Sequence, residues 1–200
     1  MADRNKQNNS TPKLTWQQNV MLYLHDLVYL LMGLLVVFLV VFRLIIVSGD
    51  SMYNTLVDGD YLLLLSNVFY REPEQGDIIV ISKQTFDDGA PIVKRVIAKE
   101  GQIVDIDFEQ GIVYVDGLPL QEDYIYTPTT VREGVAFPVL VEEGCIFVLG
   151  DNRGVSKDSR SPEIGQVDTR EVLGKALFLL MPGTNHGMSN PEYGRIGVIR

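Results

Sequence analysis

The sequence is poor in cysteine, histidine and positive charge, and each shortage removes a class of function. Its one cysteine, Cys145, allows neither an internal disulfide nor a multi-thiolate zinc site. Two histidines, His25 and His186, are too few for a histidine-rich metal centre. Lys and Arg number 17 against 26 Asp and Glu, a formal charge of −9. Binding nucleic acid needs the opposite balance, so no nucleic-acid partner is expected. There is no internal repeat, no low-complexity tract and, beyond Val47, no long stretch of helical period. With 200 residues, 46% apolar and 22% charged, the chain has room for one modest domain plus an appendage and is not disordered throughout.

The charge is unevenly placed. Up to Val47 the chain carries Arg4, Lys6, Lys13 and Arg43 against Asp3 and Asp26, a net of +2, which leaves −11 on the remainder. Within that basic leader, Leu27 to Phe42 runs without a charge, and extended to Val47 it is long enough to cross a bilayer. Arg43 near its end would snorkel to the headgroups. A cleaved secretory signal would have a shorter apolar region and a small-x-small site, whereas here the run passes straight into SGDSM; an uncleaved anchor is the expectation. The organisation expected is a cytoplasmic tail over 1–21, a transmembrane helix over 22–47 and an extracytoplasmic body over 48–200. The basic leader holds the N-terminus in the cytoplasm. The lipid bilayer, as plasma membrane, is thus one partner. After Val47, short apolar runs alternate with turns (YLLLL, DIIVIS, PIVKRVIA, GIVYV, CIFVLG, KALFLLM), so the body is expected to be mostly β. Asp116-Gly117 marks a hairpin turn after GIVYV, and Cys145 is expected to be buried within CIFVL.

Three places could carry chemistry. The G-x-S-x-G elbow is absent, because Gly49-Asp50-Ser51-Met52-Tyr53 lacks its second glycine. An S-x-x-K match at Ser10 and Lys13 lies in the polar tail across Pro12 and is noise. Ser51, however, follows the apolar run by only four residues, which keeps it near the membrane surface. In PIVKRVIA, strand alternation gives one of Lys94 and Arg95 apolar neighbours on its own face. A lysine so placed loses hydration, its pKa falls, and the neutral amine becomes able to take a serine proton. Gly150 to Arg160 (GDNRGVSKDSR) is a dense polar stretch after an apolar strand, whose acids could pair with Arg95 and whose hydroxyls could orient an amine.

Together SGDSMYNTL (Ser48–Leu56), GDIIV (Gly76–Val80), KRVI (Lys94–Ile97) and GDNRGVSKDSR resemble the type I signal peptidases, membrane-bound Ser/Lys endopeptidases of the S26 family. The resemblance covers about four-fifths of the chain. It implies Ser51 as nucleophile, Lys94 as general base, the Ser51 N–H in the oxyanion hole, and Ser156 orienting the Lys94 amine. Asp151, Asp158, Arg160 and Arg95 would form an ion-pair scaffold. It also implies a fold of two antiparallel β-sheets, no cofactor or metal, and preproteins with small residues at −1 and −3 of their signal peptides as substrates. Oligomeric state is not legible. Asn54 stands where proline is usual, and Gly49 matches the Gram-positive pattern, without the oxyanion-hole serine of other members. Lysine in place of histidine as base points to the bacterial branch. Two other readings remain: a self-cleaving Ser/Lys repressor-type peptidase, which would need a DNA-binding segment, and a non-catalytic membrane-anchored β-domain assisting surface-protein assembly, which intact Ser51 and Lys94 count against.

Overall fold

The computed structural model describes residues 15–184 and 190–199 and divides into a helical unit ending at Leu39 and a β-body from Val40 onward. The helix, α1, spans Trp16–Val41, 26 residues with no buried member. Thr15 begins it: its hydroxyl accepts from the Gln18 N–H while the Gln18 side chain accepts from the Thr15 N–H, a reciprocal cap. At about 1.5 Å per residue and a mean hydropathy of 2.4 in its most apolar window, α1 is long and apolar enough to be a candidate membrane anchor.

The span expected over 22–47 is corrected at both ends. The helix starts earlier and stops at Val41, and Phe42–Ile46 forms the first strand, β1. Its partner is β2 (Tyr61–Ser66), antiparallel, with Phe42 opposite Leu65 and Ile46 opposite Tyr61. An apolar run ending in Ile45 and Ile46 satisfies a membrane helix and a strand equally well by composition, and the ladder to YLLLL decides for the strand.

The remaining strands are β3 (Ile78–Ile81), β4 (Ile92–Lys99), β5 (Ile103–Asp107), β6 (Ile112–Val115), β7 (Leu118–Pro119), β8 (Val139–Leu140), β9 (Cys145–Leu149), β10 (Val167–Asp168), β11 (Val172–Met181) and β12 (Gly197–Val198). They make two antiparallel sheets, as expected. The larger runs β1-β2-β11-β3-β4-β9-β10, with β12 on β11, and the smaller runs β7-β6-β5-β8. β6 and β7 form the hairpin expected at Asp116-Gly117, both residues having positive φ (52° and 77°), as a type I′ turn requires.

β4 lies inside the larger sheet, and all of its residues from Val93 to Ala98 are buried. Lys94 and Arg95 are therefore both desolvated, at 3% and 2% exposure, rather than only one of them. One apolar cluster joins Met52 and Leu56, which flank the Ser51 turn, to Leu62, Leu64, Val80 and Val93 of the sheet. A second fills the space between the sheets, with Ile97, Phe147 and Leu149 against Val104 and Val113. Cys145 is only half-buried, contrary to expectation, because it opens β9 where the neighbouring strand β10 is just two residues long.

Candidate active site

Ser51 lies in the long turn between β1 and β2. The turn is closed at its neck, with the Val47 N–H donating to the Asp60 carbonyl and the Gly59 N–H to the Val47 carbonyl, both at 2.9 Å. Asp60 is wholly buried and holds the turn from within: its carboxylate accepts from the Val57 and Gly183 N–H groups and from the Arg195 guanidinium, and Arg195 also donates to the Thr55 carbonyl. Met52 is 1% exposed, so the residue after Ser51 is driven into the core and leaves Ser51 itself at the half-buried surface.

Lys94 reaches the same point from β4. Its Nζ lies 2.8 Å from Ser51 Oγ and 2.9 Å from the Val93 carbonyl oxygen, donating to both. Burial brings the Lys94 pKa down to about 8, while the carboxylates of Asp158, Asp151 and Glu133 pull it back up. Measured from an ordinary lysine, that displacement is worth roughly 3 kcal/mol against the ammonium form. The group is a hydroxyl in hydrogen-bond contact with an amine that loses its proton at far lower pH than an ordinary lysine, an arrangement able to activate a serine.

The segment from Gly150 to Arg160 seals the back of this pair. The Asn152 N–H donates to the Ser51 carbonyl at 3.0 Å, and its side-chain amide to the Asp50 carbonyl at 3.1 Å. Gly150 is required here by close approach: a Cβ would stand 2.5 Å from the Ser51 carbonyl oxygen and 2.1 Å from Ser156 Oγ. Buried ion pairs brace the segment, two of them through residues singled out from the sequence. Arg95 makes a two-pronged contact with Asp151, Nε to Oδ1 at 2.9 Å and Nη2 to Oδ2 at 2.8 Å, its guanidinium lying 3.9 Å from the centre of the Tyr124 ring. Arg160 does the same with Asp158, at 2.8 and 2.9 Å. Thr55 donates to Asp151, so one carboxylate ties the Ser51 turn to the strand that carries Lys94.

Of the seven residues singled out from the sequence, the structure brings Ser51 together with Lys94, Arg95 with Asp151, and Arg160 with Asp158. Ser156 is fully buried, but its hydroxyl donates weakly to the Lys157 carbonyl at 3.4 Å and is not a partner of Lys94. The amine's second contact is a backbone carbonyl, Val93, which no side-chain pattern can announce. His186 lies outside the described residues, as do Arg4, Lys6, Lys13 and the Ser10–Lys13 match. Sequence reasoning passed over Arg153, wholly buried, which pairs with Glu122 and bonds Thr129 and the Gly150 carbonyl. Its acidic partner is 31 residues away, so no local spacing signals it. Among the described residues no cluster of three or more His, Cys, Asp or Glu is arranged to hold a metal ion.

On one side of Ser51 opens a cavity of about 750 Å³, walled by Ile45, Val47, Tyr61, Pro91, Ile92 and Val93. β1, the edge strand of the larger sheet among the described residues, borders it. The cleft is open and largely apolar beside the hydroxyl, a shape suited to an extended chain.

A family model described as signal peptidase, peptidase S26, matches residues 20–181. Among curated proteins, a probable signal peptidase I-1 of Synechocystis is 39% identical over 148 residues, 70% of this chain and 72% of the relative. A signal peptidase I of Bacillus amyloliquefaciens is 34% identical over 145 residues, 68% of this chain and 72% of the relative. Among solved structures, the crystal structure of a signal peptidase I from Enterococcus faecalis is 29% identical, covering 52% of this chain and 96% of that one, with a TM-score of 0.42.

Proposed function

The chain belongs to the signal peptidases of family S26 and is a serine endopeptidase of the type I class, and from that premise we propose that Ser51 and Lys94 form the dyad with which it removes signal peptides from exported preproteins. The observation that carries the reading is the 2.8 Å contact between Lys94 Nζ and Ser51 Oγ at a site where burial makes the amine far easier to deprotonate than an ordinary lysine. With the amine neutral, the same contact passes the hydroxyl proton to nitrogen as Ser51 Oγ attacks the scissile carbonyl carbon. The Ser51 N–H, which has no intramolecular acceptor among the described residues, faces no competitor for the developing oxyanion. The Lys94 ammonium then protonates the leaving amine of the mature chain. The neutral amine so regenerated deprotonates the water that hydrolyses the acyl-enzyme.

Specificity follows from the edge of β1. A preprotein segment lying extended in the cleft presents side chains two residues apart to the same wall. Ile45, Ile92 and Val93 line the cleft beside Ser51 and would meet the side chains at −1 and −3. In a panel of preproteins incubated with the detergent-solubilised protein, Ala at −1 and −3 is expected to be cut at least a hundredfold faster than Phe or Lys at −1. Efficient cleavage after Phe or Lys would refute the assignment.

The bilayer enters twice. α1 anchors the chain, with its N-terminus in the cytoplasm by the charge rule. On the body, Ile46, Tyr61 and Met181 stand in one row across β1, β2 and β11 and are 58%, 43% and 56% exposed. An uncovered apolar row of this kind, on the strand that leads to Ser51, suits a headgroup–acyl boundary and would hold the dyad where an anchored signal peptide ends. The catalytic body then faces away from the cytoplasm.

A further inference from the structure

The reaction as described leaves one buried charged group unused. Glu133 belongs to the irregular segment between β7 and β8, yet it is firmly placed. On either side of it, the Val131 carbonyl accepts from Arg160 Nη1 and the Val135 N–H donates to the Arg160 carbonyl, both at 3.0 Å. Arg132 lays its guanidinium over the Phe108 ring at 4.3 Å. The Glu133 side chain is 10% exposed, its Oε1 stands 3.9 Å from Arg160 Nη2, and its Oε2 is buried without a hydrogen-bond partner.

A buried carboxylate oxygen left unpaired is costly, and Arg160 is already committed to Asp158 through two hydrogen bonds. The charges around Lys94 can be summed. Arg160 closes with Asp158, and Arg95 closes with Asp151. Glu133 is a third carboxylate whose nearest cation, Arg160, is shared with Asp158, and whose other, Lys157, is exposed and screened by water. The cluster is thus one negative charge in surplus when Lys94 is neutral and balanced when Lys94 is protonated.

We propose that Glu133 is a positioning residue for the dyad, its carboxylate, set beside the Arg160–Asp158 pair with one oxygen unbonded, supplying the surplus negative charge against which the Lys94 amine is poised. Burial and Asp158 push the Glu133 carboxyl upward from the usual carboxylate value, as expected of an acid held where negative charge is already in excess. Its field in turn favours the Lys94 ammonium, opposing the loss of hydration. Glu133 therefore keeps the buried amine basic enough to accept a serine proton, and fixes the pH at which it becomes free to do so.

The inference rests on Lys94 being the base, and its test separates the two. With full-length protein in detergent and a preprotein substrate, kcat/KM is measured against pH for wild type and for Glu133→Gln, Glu133→Asp and Lys94→Ala. Glu133→Gln is expected to move the acid limb to lower pH by roughly half a unit or more. Its kcat/KM then rises about threefold at a fixed pH on that limb, with no gain on the plateau. Glu133→Asp keeps the charge and is expected to keep the limb in place, even if its melting temperature falls. A limb unmoved in Glu133→Gln, or one that follows side-chain length and not charge, overturns the proposal. Activity surviving in Lys94→Ala would instead refute the dyad.

Discussion

Lys94→Ala is expected to lower kcat/KM for preprotein cleavage by a factor of about a hundred to ten thousand, the range that a positioned general base supplies. Among the described residues, the side chain in hydrogen-bond contact with Ser51 Oγ is the Lys94 amine. Without it the hydroxyl must lose its proton to water. Folding should survive the change, since removing a lysine that is 3% exposed also removes the cost of burying it. Lys94→Arg is no substitute, because a guanidinium stays charged at every working pH and cannot accept the proton. His186→Ala should keep most of the activity, that histidine being the rival base expected on the same side of the membrane. Steady-state kinetics with circular dichroism on all three variants checks this; activity kept by Lys94→Ala and lost by His186→Ala would reinstate a Ser/His mechanism.

The second large effect is on stability. Asp151→Ala should cost about 3–5 kcal/mol, as does breaking a buried ion pair from one side. Arg95 and Asp151 are 3% and 0% exposed in their side chains, so the guanidinium would be left buried and unpaired. Thr55 would lose its acceptor as well, freeing the Ser51 turn from the strand beneath Lys94. Activity is therefore expected to fall together with stability. Asp168→Ala provides the contrast. Its partner Arg170 is 88% exposed, so water screens the pair and its loss should shift the melt far less. Denaturant melts that shifted equally for the two variants would show that the Arg95–Asp151 pair does not brace the site.

Why some of this was legible in the sequence and some was not follows from the kind of interaction involved. Strand period and turn residues are local, so the β-body and the Asp116-Gly117 hairpin could be read directly. Ser51, Lys94, Arg95, Asp151, Asp158 and Arg160 are carried by motifs whose spacing survives intact, and Asp158 and Arg160 lie two residues apart. Phe42–Ile46 was misplaced because hydrophobicity alone does not distinguish lipid from a sheet partner; only the register with β2 does. Ser156 went astray because a hydroxyl near an amine is not a hydrogen bond until the rotamer is known, and here a backbone carbonyl takes that place. Arg153 and Glu133 were missed for a third reason. Their meaning lies in partners across long loops, Glu122 for the one and Arg160 for the other, which no sequence window contains.

The central claim is that a neutral, buried lysine activates Ser51, and the pH dependence of kcat/KM in the wild-type protein tests it most directly. A base must be unprotonated to act, so the rate should fall as pH drops through the pKa of Lys94, with an acid limb centred near 8 and a plateau above it. An acid limb near 6.5, the ordinary histidine range, or a rate level from pH 6 to 9, would contradict the account.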